Sequence, residues 1–492
     1  MKYFIGADLG TSALKLLLMD KEGNIIKEVS REYPVYFPKS AWSEQNPEDW
    51  WQAFLSGIKE LVADIDKENI AGIGAGGQMH GLVILDEQDN VIRPAILWND
   101  GRTDKETHYL NTQIGKEKLS EFTANIAFAG FTAPKILWLR NNEPENFKRI
   151  KKIMLPKDYL SYRLTGEHVT DYSDASGMLL LDVKNKCWSK EMLDICGISK
   201  EQMPKLSESY EKIGSILPEV AREIGIGENV IVVAGAGDNA AAAIGTGTTN
   251  DGKCNISLGT SGTVFISSDK FAVDSKNALH SFCHANGKHH LMACILSAAS
   301  CNKWFCEEIL KTSDYMSEQA GITDEKLGNN DVYFLPYLMG ERSPINDTDA
   351  RGMFVGLCMD STRENMVQAV LEGVAFAIRD NVEIAKSQGI DIKTSSLCGG
   401  GSKSGLWQKI LCNVLNIEIT ILQTEQGPVF GGGILAMVGA GEYACVNECV
   451  DKLIKTKEKL VPDSEIAKRY DERYKKYKEI YPSVKDLYKK LK

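Results

Sequence analysis

Two stretches of this chain, YFIGADLGTSALKLLLMD from Tyr3 and KCNISLGTSGTVFIS from Lys253, set the same tetrapeptide, Leu-Gly-Thr-Ser, between two β-rich apolar runs. Each reads as strand, tight turn, strand, with small residues whose backbone N–H groups can converge on an anion. One such turn is ordinary, since Gly-Thr-Ser is common in plain hairpins. Its recurrence half a chain later predicts two similar α/β domains facing one ligand. The copies differ at one position: Asp8 precedes the first, and Ser257 takes its place in the second. A chain of 492 residues is too long for one core and calls for two domains of roughly 200–250 residues. The Gly/Thr-rich segment IGTGTTNDGK, 244–253, separates two apolar patterns, so the expected domains are 1–245 and 246–492.

Bulk properties narrow the partners. A net charge of −10 leaves no basic surface for following a phosphate backbone, so nucleic acid is not expected. Met1 leads directly into an apolar strand, and no apolar run approaches the ~18 residues of a membrane span. The twelve cysteines are scattered, mostly within apolar segments, as buried reduced thiols would be. A cytoplasmic location follows as the expectation. The segment HSFCHANGKHH gathers His280, Cys283, His284, His289 and His290. These are zinc-type ligands, but they lack the two separated pairs of a structural site. ANGK reads as a hairpin turn that would alternate the side chains between faces, which disfavours a metal.

Helix ends are legible. Asn46 is placed to cap a helix that begins at Pro47. Ser361 and Glu364 have the spacing of a capping box for a helix carrying Met366, Val370, Val374 and Ala377 and stopping at Gly389. After Pro462, Ile466, Tyr470, Tyr474, Tyr477 and Tyr481 form one stripe, as in a docked terminal helix. The β-rich runs NVIVVAGAGDN, DVYFLPYLMGER, TSSLCGGGS and IEITIL lie between helical segments. Alternating strands and helices make an α/β protein.

Three segments bear chemistry. In VIVVAGAGDNAAAAIG, Asp238 ends an apolar strand and opens an Ala-rich helix. That is where ligands bind in open α/β sheets, and equally where Asp serves as an N-cap. LCGGGSKSG joins a strand to a helix through three glycines, which admit a ligand close to the backbone or form a plain loop. Its spacing fits neither a dinucleotide fingerprint nor a Walker sequence. GAGGQMHG puts Gln78, Met79 and His80 after a Gly-rich strand; a lone His is more often structural than functional.

Taken together, these motifs resemble the FGGY family of carbohydrate kinases, within the superfamily of actin, hexokinase and the 70-kDa heat-shock ATPases. One family signature matches from Gly130 through Thr132, Lys135, Trp138 and Leu139 to Asn141-Asn142. The other matches Gly352-x-Phe-x-Gly356-Leu357, Asn365-Met366 and Ala369 to Glu372. DLGTS, WSEQNPEDWW, GQMHG, ILWNDGR, LPKDYLSYRLTGE, GDNAA, SLGTSG, FLPYLMGERSP and LCGGGSKS occur in order over nearly the whole chain.

The resemblance implies two RNase H-like domains around a central cleft, and ATP-dependent phosphorylation of a ketose sugar. D-xylulose is the expected acceptor, with another ketose or a polyol as the alternative. It places Asp8 near Mg²⁺, directly or through water, and near the transferred phosphoryl group. Asp238 becomes the catalytic base, and Gln78, Met79, His80, Asp238 and Asn239 the sugar-binding set in the first domain. Thr11, Ser12, Lys15, Gly259 and Thr260 fall at phosphate-contact positions, and Gly400 and Gly401 at the adenosine side. Ser404 stands where glycerol kinases carry Asn, a departure from the family pattern. The implied partners are the sugar and ATP, with no nucleic acid or membrane; a homodimer is left open. An actin-like or heat-shock-like binding module is the rival from another class. The chain has no added peptide-binding domain or filament insert to support it.

Overall fold

The apolar runs around both Leu-Gly-Thr-Ser turns fold as hairpins in the computed structural model of the chain, which describes residues 2–423 and 427–491. Tyr3–Leu9 turns through Gly10–Ser12 and returns antiparallel as Ala13–Asp20, with Asp8 opposite Lys15. On its other side Tyr3–Leu9 pairs in parallel with Ile70–Gly77. That strand in turn pairs in parallel with Ile231–Val233 and, after a break, with Ala236–Gly237. Antiparallel strands Ile25–Glu32 and Lys212–Ser215 form the edges.

The second sheet repeats this succession. Lys253–Leu258 turns through Gly259–Ser261 into antiparallel Gly262–Ser268, with Ser257 opposite Thr263. Lys253–Leu258 runs parallel to Thr394–Cys398, which runs parallel to Glu418–Leu422; Thr456–Leu460 closes that edge antiparallel. Parallel neighbours require crossover connections, and helices such as Pro47–Leu61 and Gly405–Leu415 supply them.

The chain divides into two compact units: Met1–Thr249 with Ser281–His290 and Gln426–Ile454, and Asn250–His280 with Leu291–Glu425 and Lys455–Lys492. The first crossing, from Thr249 to Asn250, lies within the Gly/Thr-rich segment 244–253. The late return of Gly427–Gly439 to the first unit had no signal in the sequence reading, and glycine explains its fit. A Cβ on Gly6 would stand 1.8 Å from the Val429 carbonyl oxygen, and one on Gly74 would stand 2.1 Å from that of Gly432. A Cβ on Gly431 would stand 1.9 Å from the Ala241 carbonyl oxygen. The helix therefore lies with its backbone directly on strand and helix backbones.

Helix ends follow local chemistry. Asn46 caps Pro47–Leu61, its side chain accepting from the Glu48 N–H at 3.2 Å. The long helix begins one residue later than its Ser361–Glu364 spacing predicts. Thr362 is the cap of Arg363–Ser387, accepting from the Asn365 N–H at 3.2 Å, while the Asn365 side chain accepts from the Thr362 N–H at 2.9 Å. Ser361 instead accepts from the Cys358 N–H at 3.0 Å, and Glu364 pairs with Lys326. The helix ends before Gly389, whose φ is 85°. The tyrosine stripe is a docked helix, Ser464–Lys490, which buries Ile466, Tyr470, Tyr474 and Tyr477. No helix among the described residues is long and apolar enough to cross a membrane.

The glycine contact makes a direct prediction. Gly74→Ala forces a methyl against the Gly432 carbonyl and costs about 1–3 kcal/mol, read as a lower urea midpoint for the first unit. An unchanged midpoint contradicts the backbone contact.

Candidate active site

Three neighbouring parallel strands of the first unit end side by side. Asp8 is in register with Gly76, Gly76 with Ala236, and Gly77 with Gly237. Asp8, the segment Gln78-Met79-His80 and Asp238 therefore all sit at the C-terminal ends of adjacent strands, the ligand-binding end of such sheets. Asp238 does not cap its helix: Gly237 is the N-cap, and Asp238 is the first residue of Asp238–Gly245. Its Oδ1 accepts from the Asn239 N–H at 2.7 Å and from Asn239 Nδ2 at 2.9 Å. Burial pushes the Asp238 carboxyl up to about 6 against those two hydrogen bonds. Burial, followed by the charge of Asp238, pushes Asp8 to about 7, with Lys15 opposing.

A buried ion cluster fixes the approach to Asp238. The Lys157 ammonium lies 2.7 Å from Asp158, 3.2 Å from Asp171 and 3.8 Å from Asp174, and donates to the Ala234 carbonyl at 3.2 Å. Burial works against its charge, and the three carboxylates more than compensate. Asp171 accepts from the Ser173 N–H at 2.8 Å and from Ser209 Oγ at 2.7 Å. Ser173 Oγ accepts from the Gly237 N–H at 3.2 Å, so the cluster is bonded to the residue before Asp238. Sequence reading did not single out these residues, although Lys157 and Asp158 stand inside the LPKDYLSYRLTGE motif.

The remaining first-unit residues divide into supports and open groups. Gln78, 2% exposed, donates to Gln45 Oε1 at 2.9 Å and to the Gly10 carbonyl at 3.5 Å, beneath the first turn. Met79 is also buried and lies against Gly237 and Gly177. His80 is partly exposed, with Nδ1 2.7 Å from the Gly177 carbonyl. Ser12 and Lys15 are exposed on the turn and the strand after it. Thr11 Oγ1 accepts from Trp98 Nε1 at 2.9 Å, and its carbonyl accepts from Gln45 Nε2 at 2.7 Å. Gln45 and Trp98 thus brace the turn, a role their sequence positions did not disclose.

In the second unit, Gly259, Thr260, Gly400, Gly401 and Ser404 line one cavity of about 720 Å³. The start of the helix Ala299–Trp304 pins the turn: the Ala299 N–H donates to the Gly259 carbonyl at 2.8 Å, and Ser300 Oγ to that of Thr260 at 2.7 Å. Gly401 packs where a Cβ would meet Leu258 and Trp407 at 2.9 Å, whereas a Cβ on Gly400 meets only open space. Ser404 caps the helix Gly405–Leu415 by accepting from the Trp407 N–H at 3.1 Å, and donates to Gln319 Oε1 at 2.6 Å. Gln319, also on the cavity wall, was invisible to sequence reading.

The His-rich segment forms a hairpin, His280–Cys283 and His289–Ile295. His284 Nε2 lies 2.8 Å from the Thr248 carbonyl. Among the described residues, no group of three or more His, Cys, Asp or Glu is placed to hold a metal ion.

Comparison with known proteins identifies the family of both halves. The model of the N-terminal domain of the FGGY family of carbohydrate kinases matches residues 3–245, and that of its C-terminal domain matches 254–440. The chain belongs to the FGGY family of carbohydrate kinases. It is 39% identical over 472 residues to a xylulose kinase of Escherichia coli, covering 96% of each chain. It is 37% identical to a xylulose kinase of Bacillus subtilis, covering 96% of this chain and 95% of that one. The crystal structure of a xyloylose kinase from Brucella ovis superposes with a TM-score of 0.94 at 40% identity, covering 99% of this chain and 100% of the other. The repeated sheet succession is thus that of an FGGY kinase.

Within this family member the Lys157 cluster carries a clear expectation. Lys157→Met strands three buried carboxylates and costs about 3–5 kcal/mol, measured as a lower thermal midpoint. A midpoint equal to that of the unaltered protein removes the cluster from the account.

Proposed function

We propose that this chain transfers the γ-phosphoryl group of ATP to D-xylulose, giving D-xylulose 5-phosphate and ADP. The choice of ketose is carried by the near-full-length identity with proteins named xylulose kinase. The chemistry follows from the strand ends. A sugar hydroxyl is too weakly acidic to attack well at neutral pH, so a carboxylate takes its proton as the new P–O bond forms. Asp238 has that role: at about 6 it is largely ionised at neutral pH, yet more basic than an ordinary aspartate. Met79, His80 and Asn239 adjoin it on the sugar side. Gln78, the remaining member of the proposed sugar set, is anchored to Gln45 and the Gly10 carbonyl.

Asp8 suits a divalent cation. Its carboxyl is pushed to about 7 by burial and by the charge of Asp238, so the pair is short of positive charge, and hard oxygen donors match Mg²⁺. Asp8 would hold the Mg²⁺ that arrives with ATP, directly or through a water. The ion supplies charge neutralisation on the phosphates. Thr11, Ser12, Lys15, Gly259 and Thr260 offer N–H, hydroxyl and ammonium groups to phosphate oxygens. Gly400, Gly401 and Ser404 serve the adenosine side of the second unit's cavity. The cytoplasm supplies ATP and keeps cysteine thiols reduced.

Coupled ADP release over D-xylulose, L-xylulose, D-ribulose, L-ribulose, glycerol and gluconate tests the reading. D-xylulose should give the highest kcat/KM by about tenfold or more. A polyol or another ketose in first place overturns the choice of acceptor. Asp238→Asn should lower kcat by roughly 10²–10⁴-fold with ATP binding nearly intact. Turnover within about twofold of the unaltered enzyme takes Asp238 out of the mechanism.

A further inference from the structure

His80 holds a backbone conformation that few side chains adopt, with φ at 68° in the left-handed region. Such a residue persists only where its surroundings hold it, and here the holders are specific. The His80 carbonyl accepts from Lys135 Nζ at 2.8 Å and from Thr132 Oγ1 at 3.1 Å. Lys135 also donates to the Gly130 carbonyl at 2.7 Å, tying the turn at His80 to the segment leading into the helix Thr132–Asn142. The imidazole stacks on Phe131 with centroids 4.7 Å apart. A Cβ at Gly177 would stand 2.5 Å from the ring's Cε1 and Nδ1, so the ring lies directly against that glycine. The ring therefore has no room to move in that direction.

Lys135 is a costly choice for packing alone. It is 0% exposed, and burial drives its amine well below the usual lysine range, with Asp100 opposing and Arg102 adding to the shift. A methionine or leucine would fill the same volume without desolvating an amine. What a hydrocarbon lacks is donors, and Lys135 directs them to two main-chain carbonyls.

We propose that Lys135, assisted by Thr132, is a positioning residue for the sugar site: it locks the turn at His80 and so fixes the imidazole against Gly177 and Phe131. This rests on the reading that His80 contacts the ketose. Lys135 touches no reacting atom and acts through His80.

The test compares Lys135→Met, Thr132→Val, His80→Ala and the double variant Lys135→Met/His80→Ala in the full chain. Lys135→Met should raise KM for D-xylulose about tenfold, the scale of one or two lost buried hydrogen bonds, with KM for ATP changed less than about twofold. Thr132→Val, a milder change that serves if Lys135→Met does not fold, should move KM the same way by about threefold. In the His80→Ala background, Lys135→Met should add little, because the ring it positions is gone. Histidine-labelled NMR spectra, with His80 identified by its loss in His80→Ala, should show its ring resonance shifted in the Lys135 or Thr132 variant.

A folded Lys135→Met or Thr132→Val variant with an unmoved His80 resonance and unchanged sugar KM overturns the proposal. A full additive effect in the double variant also overturns it, since Lys135 would then act by another route. If His80→Ala leaves the sugar KM unchanged while the Lys135 variant still shifts the ring, the reading of His80 as a sugar contact fails, and a sugar-positioning role for Lys135 fails with it.

Discussion

In the first unit, a helix backbone rests on strand backbones with no side chain between them. Gly427–Gly439 approaches so closely that Gly6, Gly74 and Gly431 have no space for a Cβ. Glycine normally weakens strands and helices, and here it is tolerated because contact between the elements replaces what side chains would contribute. The central parallel strands are consequently held in register, and their ends with them. Asp8, His80 and Asp238 owe their proximity in sequence-distant segments to that register, not to any local motif.

Electrostatics then support the proposed roles. Two carboxyls at the ends of strands that flank Ile70–Gly77, each desolvated by burial, are pushed to about 7 and about 6. The higher one, Asp8, lies opposite Lys15 on the strands that flank the Gly10–Ser12 turn, and on the proposed reading a divalent cation would balance its charge. The lower one, Asp238, has its ionised form stabilised by Asn239 and is free to take a proton. Environments that separate the behaviour of paired carboxyls commonly mark acid–base chemistry. The Lys157 cluster is bonded to Gly237 through Ser173, a support that matters on the proposed reading because a base displaced by an ångström loses much of its advantage.

Much of this was legible in the sequence. The repeated Leu-Gly-Thr-Ser hairpins disclosed the two-unit plan because strand and turn chemistry are local. Asn46, Pro47 and the tyrosine stripe of Ser464–Lys490 were readable for the same reason. The cap at Thr362 was missed by one residue because Ser361-x-x-Glu364 and Thr362-x-x-Asn365 satisfy the same spacing, and only the competing bonds to Cys358 and Lys326 decide between them. Gly427–Gly439 shows no strong amphipathic pattern, so its destination on the first sheet depends on glycines far away in sequence. The bracing of Thr11 by Gln45 and Trp98, and the wall formed by Gln319, arise from tertiary approach that no local spacing encodes. The resemblance to a kinase family picked out the candidate residues; hydrogen bonds and packing within each unit show their neighbours.

The central claim is that the Asp238 carboxylate takes the proton from the sugar. The pH dependence of kcat/KM for D-xylulose, measured at saturating magnesium and ATP, tests it most directly. Asp238 is raised from its ordinary value to about 6, so it becomes protonated, and useless as a base, as pH falls through that value. The account predicts a rate that falls tenfold per pH unit below about pH 6, and an Asp238→Asn variant whose residual rate lacks that acid limb. The same limb persisting in the variant would contradict it.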